Sequence, residues 1–229
     1  MRSSPLEAGM LAAQGYPTLT VAYFKYAGLP TTLSRIPLEY FARALTWLSR
    51  QPGVDPTHLL TLGVSRGSEA ALLLGAHYPN LVHGVIALVP SNSSICSYPG
   101  CGGPVWTLDG RPLPYTRQFD NPAPTDDPAA VIPVQRIRGP VLVACGGEDQ
   151  VWSSCPYAGR IMSRLDARHD RYAHVAYAYP HAGHGVGLFT PYEPEGTAAA
   201  VADTTFGADQ QARILLWPHL VAFLARVRS

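Results

Sequence analysis

Apolar residues in this chain fall into two rhythms. Five short runs are apolar almost throughout: "TLTVAYF" (18–24), "LLTLGV" (59–64), "GVIALVP" (84–90), "PVLVACG" (140–146) and "HVAYAYP" (174–180). Their length, their β-branched content and the Gly or Pro at several ends predict strands. Runs without polar alternation fit strands covered on both faces, as in a parallel sheet. Between them the spacing becomes helical. "IPLEYFARALTWLSR" places Leu38, Phe41, Leu45 and Leu48 on one face, with Pro37 near the first turn. Further helices are predicted to begin near Leu6 and to cover 66–78, 156–168 and 208–227. The last carries Leu215, Leu216, Leu220 and Leu224, with Pro218 expected to kink it.

Strands alternating with helices predict an α/β architecture: a mostly parallel sheet with flanking helices. Residues 91–135 break the rhythm. They are rich in Pro, Gly and Ser, with Tyr98, Trp106, Tyr115 and Phe119 interspersed. A long loop inside a compact domain is usually functional or disordered, and the aromatic residues favour an ordered, cap-like insertion. The expectation is one domain over 1–229 with that insertion.

Composition narrows the function. Of the 229 residues, 47% are hydrophobic and 14% charged, with a formal net charge of +1. No Lys/Arg block points to nucleic acid as a partner. No apolar run is long enough to span a membrane. The start has no signal-like apolar stretch, so a cytoplasmic location is expected. None of the four cysteines forms a C-x-x-C pair or has zinc-like histidine spacing. Cys96 and Cys101 are close enough for a local disulfide. The cytoplasmic expectation favours reduced thiols instead, with Cys145 a small hydrophobe in a buried strand.

The segment "LLTLGVSRGSEAALLLGAHYP" contains G-x-S-x-G between a predicted strand and a predicted helix. That context is the nucleophile elbow of α/β-hydrolases, and it makes Ser65 a candidate nucleophile. Gly63 and Gly67 supply small neighbours. The helix N-terminus favours developing negative charge, and the main-chain N–H of Arg66 would be one oxyanion donor. The plain alternative is that Ser65 caps the helix.

A serine needs a base. In this fold the order along the chain is serine, acid, histidine. "PVLVACGGEDQVW" puts Asp149 just past a predicted strand, and "VAYAYPHAGHGVG" puts His184 past the next. Strand ends at one edge of the sheet would gather all three. His184 would take the serine proton, and Asp149 would hold its tautomer and stabilise the cation. His181 competes with His184, and Glu148 competes with Asp149. His77 and His83 read as structural. No metal or organic cofactor is required by this chemistry.

The chain also resembles the C-terminal catalytic domain of the acyl-CoA thioesterase / bile acid-CoA:amino acid N-acyltransferase family, from about residue 7 to the end. The resemblance lies in "MLAAQGYPTLTVAYFKYAGLP", "IPLEYFARALTWLSRQPGV", "LGVSRGSEAALLLGAHYP", "ACGGEDQVW", "YPHAGH" and "WPHLVAFLARV". It implies hydrolysis of an acyl-CoA thioester through an acyl-enzyme. The family's nucleophile, acid and histidine fall on Ser65, Asp149 and His184. A serine rather than a cysteine at the nucleophile position resembles the thioesterase branch. Members also carry an N-terminal β-sandwich, and a strand and glycine-rich loop before the first helix. The loop gives the second oxyanion N–H. Their absence here suggests an α/β-hydrolase domain truncated at its N-terminus. The expected function is an acyl-CoA thioester hydrolase. Another α/β-hydrolase, such as a carboxylic ester or dienelactone hydrolase, and a weakly active remnant are the alternatives.

Overall fold

The computed structural model describes residues 5–169, 171–191 and 204–228. Four strands form a parallel sheet in the order β2-β3-β6-β7: β2 (Leu60–Val64), β3 (Gly84–Leu88), β6 (Val141–Gly146) and β7 (Val175–Tyr179). Each coincides with one of the apolar runs. All three pairings are parallel, with Leu62 opposite Ile86, Ile86 opposite Leu142 and Leu142 opposite Val175.

The apolar runs follow from helices on both faces. On β3 and β6, Val85, Ala87, Val141, Val143 and Cys145 pack with α2 (Leu38–Leu48), α3 (Arg66–His77) and α4 (Ser154–Asp166). The alternate residues Ile86, Leu88, Leu142 and Ala144 pack with Leu11 of α1 (Pro5–Ala13) and with Leu216, Leu220, Phe223 and Leu224 of α5 (Phe206–Arg228). Central strands therefore have no solvent face to carry polar residues. Leu215 of the same helix is 52% exposed. Helix α5 continues through Pro218.

The run 18–24 is not a strand; it lies outside both sheets. Its composition suits a strand, but a strand also requires a neighbour to complete its ladder. Here the segment is separated from β2 by a cavity of about 1440 Å³, lined by Tyr16, Val21, Tyr23, Leu62, Gly67 and Phe189 among others. None of the lining residues belongs to the 91–135 insertion.

That insertion is ordered. β4 (Trp106–Leu108) pairs antiparallel with β5 (Arg111–Pro112) and parallel with β1 (Ile36–Pro37). Trp106 is fully buried against Tyr23 and Phe41.

The cysteines correct the expectation of reduced thiols. Cys96 is bonded to Cys101, and Cys145 to Cys155. In the second pair the chain leaves β6, turns and enters α4, which returns Cys155 to 5.0 Å (Cα–Cα) from Cys145. That proximity comes from the strand–loop–helix path. Among the described residues no helix is long and apolar enough to cross a membrane.

Candidate active site

Ser65 occupies the single-residue turn between β2 and α3. Its backbone sits at φ 55°, ψ −123°, a sparsely populated region that persists only where surrounding structure imposes it. Two contacts impose it here. The Ser65 N–H donates to the Leu88 carbonyl at 3.0 Å, extending the β2–β3 ladder by one residue. The Ser65 carbonyl accepts from the Ser68 N–H at 2.9 Å and the Ser68 hydroxyl at 2.6 Å. Although Ser65 is the N-cap residue, its side chain makes no capping hydrogen bond, which removes the plain reading of this serine.

The turn leaves no room at Gly63. A Cβ there would stand 2.0 Å from the Gly67 carbonyl oxygen. Gly67 differs, because a Cβ would meet only the Tyr23 hydroxyl, at 3.6 Å. Of the two motif glycines, Gly63 is the one that close packing demands.

Asp149 lies in the loop after β6 and His184 in the loop after β7, so adjacent parallel strands deliver both to one sheet edge. His184 Nδ1 lies 2.9 Å from Asp149 Oδ1 and 2.8 Å from Oδ2. The Asp149 side chain is fully buried and accepts further from the N–H groups of Val151 and Trp152. With Nδ1 committed to the carboxylate, His184 Nε2 is buried and has no hydrogen-bond partner among the described residues. No hydrogen bond joins it to Ser65. Such contacts are often long in unliganded enzymes and tighten with substrate.

The competing residues sit elsewhere. His181 and Glu148 pair with each other at 3.2 Å, with side chains 85% and 55% exposed. His83 accepts the Leu59 N–H. His77 ends α3, where partial burial and the nearby Arg136 lower its pKa.

Sequence reasoning missed several contributors. The Trp152 ring stands edge-on to His184, with centroids 5.4 Å apart, while its Nε1–H donates to the Val89 carbonyl. Phe119 from the insertion packs against Trp152, and Asp120 accepts the Ser153 N–H. Beneath the histidine loop, Asp209 of α5 accepts the Gly183 N–H. A Cβ on Gly185 would come within 2.3 Å of the buried Asp209 carboxylate, which occupies the space a side chain would need. The clue to Trp152 was its place three residues past Asp149; nothing in sequence tied Asp209 to position 183.

The chain matches the family described as BAAT / acyl-CoA thioester hydrolase C terminal over residues 36–99 and 108–227. It belongs to this family. Relatives include acyl-coenzyme A thioesterase 6 of Mus musculus, 27% identical over 96% of this chain and 55% of that protein. Another is the mitochondrial acyl-coenzyme A thioesterase 2 of Homo sapiens, 29% identical over 82% of this chain and 40% of that protein. The chain thus spans about half the length of these relatives. Dipeptidyl peptidase 4 of Porphyromonas gingivalis superposes on 82% of this chain and 22% of its own, with a TM-score of 0.50 at 14% identity. This likeness concerns the fold alone, which is of the α/β-hydrolase type.

Proposed function

We propose that this member of the BAAT / acyl-CoA thioester hydrolase family hydrolyses acyl-CoA thioesters by a serine mechanism. The observation that carries the reading is the commitment of His184 Nδ1 to the buried Asp149 carboxylate, which leaves Nε2 as the ring nitrogen able to accept a proton. Ser65 Oγ attacks the thioester carbonyl as its proton passes to His184 Nε2, and Asp149 stabilises the resulting imidazolium. The tetrahedral oxyanion accepts the Arg66 N–H, which points away from α3 because the Ser65 carbonyl of the same trans peptide points into it. The C–S bond breaks, and His184 returns the proton to the departing thiolate. Water then attacks the acyl-serine, losing its proton to His184. Collapse releases the carboxylic acid and restores Ser65.

Serine at position 65 supports water as the acceptor. The family match and the thioesterase relatives support the substrate class. The two disulfides favour an oxidising compartment over the cytoplasmic setting expected from the sequence. The test is thiol release from short, medium and long acyl-CoA by the purified chain and by Ser65→Ala. Release that disappears in the variant is the expected result. Equal release by both would overturn the reading. Faster turnover of p-nitrophenyl esters than of acyl-CoA would move the substrate class to carboxylic esters.

A further inference from the structure

Arg66 follows the candidate nucleophile directly, and its side chain is not a free surface cation. Nη1 donates to Glu69 Oε1 at 2.8 Å, while Nη2 donates to the carbonyls of Ile95 and Cys96, both at 2.7 Å. Glu69, in the first turn of α3, is a fully buried carboxylate. Its Oε2 accepts the Trp106 Nε1–H at 2.9 Å and the Ile95 N–H at 3.3 Å.

Together the two side chains hold the insertion at both ends of the 95–106 stretch. Ile95 is held through its N–H and its carbonyl, and Trp106 through its ring. Between these points the chain is closed by the Cys96–Cys101 disulfide. The network grips the insertion on one side and residues 66 and 69 of the elbow helix on the other.

A buried ion pair is weak evidence for stability, since desolvation can exceed the Coulombic gain. Its geometric effect is clearer. The guanidinium is a planar fork with fixed donor directions, and here its bonds to fixed acceptors restrain residue 66. The peptide joining Ser65 to Arg66 must stay in its strained orientation for the Arg66 N–H to face the oxyanion position.

We infer that Arg66 and Glu69 form a positioning clamp, which locks the 95–106 stretch to the elbow helix and holds the Arg66 N–H in its oxyanion-binding direction. This rests on the serine-hydrolase reading above. Neither side chain need touch the reacting atoms. A clamp acting on the oxyanion donor lowers the transition state more than the ground state, so its loss appears in kcat rather than KM.

The experiment compares the parent chain with Glu69→Gln, Arg66→Lys and Trp106→Phe. Trp106→Phe keeps one aromatic ring in the core and removes the N–H donor together with part of the indole, and is the variant to use if the others fail to fold. Each is first titrated with a fluorophosphonate, with the labelled residue identified by mass spectrometry. Steady-state hydrolysis of acyl-CoA is then normalised to the titrated sites. The expected result is a kcat about tenfold lower per site in Glu69→Gln and Arg66→Lys, a smaller loss in Trp106→Phe, and KM within about twofold of the parent. A trifluoromethyl ketone, whose hydrate presents an oxyanion, should bind the first two variants about tenfold more weakly. Labelled Ser65 with parental kcat per site in every folded variant would overturn the clamp while leaving the serine mechanism intact. Failure of the parent to label at Ser65 would overturn both.

Discussion

His184 and Asp149 are joined through one ring nitrogen and both carboxylate oxygens, at 2.9 and 2.8 Å, in a pocket where the carboxylate has no solvent exposure. Both oxygens face the same N–H, so the acid selects a single imidazole tautomer. Asp149→Asn would keep the shape, but its amide NH2 could turn toward Nδ1 and favour the opposite tautomer, with Nε2 protonated and unable to accept. Kinetics on acyl-CoA should show kcat reduced about 10³- to 10⁴-fold with KM little changed. A loss under about tenfold would mean that Asp149 is not the orienting acid.

The Cys145–Cys155 disulfide brackets the loop that carries Asp149 and Trp152. Closing this loop restricts the unfolded chain and holds the loop in the folded one. Cys155→Ala should lower unfolding stability by about 2–4 kcal/mol in urea and reduce kcat as Asp149 gains freedom. Thiol titration of the denatured, unreduced chain should find no free cysteine among the four. Four free thiols would restore the reduced state expected of a cytoplasmic setting.

Glu69 gives stability a pH slope opposite to that of most surface carboxylates. Burial raises its pKa from 4.5 to about 7, against the lowering effect of Arg66 and the Trp106 and Ile95 hydrogen bonds. Between these two values the native state holds a proton that the unfolded state has released. The contribution of this residue is therefore fully present below about pH 4.5 and is lost as pH rises toward 7. The change is at most about 3 kcal/mol. Urea unfolding of the parent and Glu69→Gln across pH 5–8 should show the variant gaining stability relative to the parent as pH rises. Parallel curves would mean that Glu69 titrates alike in both states. A variant that is no less stable at pH 8 yet slower per site would also separate positioning from structural support.

The sequence by itself determined the sheet. The apolar runs of β3 and β6 could bury both faces only between helices, and the G-x-S-x-G motif placed a serine at a strand-to-helix turn. It also put Asp149 and His184 after successive strands, which parallel pairing made neighbours. Periodicity reports which surfaces a segment must hide, and that requirement is local. Tertiary structure decided what depends on a partner. The run 18–24 has strand composition but no adjacent ladder to join. Cys145 finds Cys155 only because α4 folds back onto β6. The Arg66 side chain is drawn to Glu69 and two insertion carbonyls. Gly185 is explained only by the approach of Asp209 from α5. Each of these is a contact between segments distant in sequence or set by a turn, and residue spacing carries no information about which distant surface arrives.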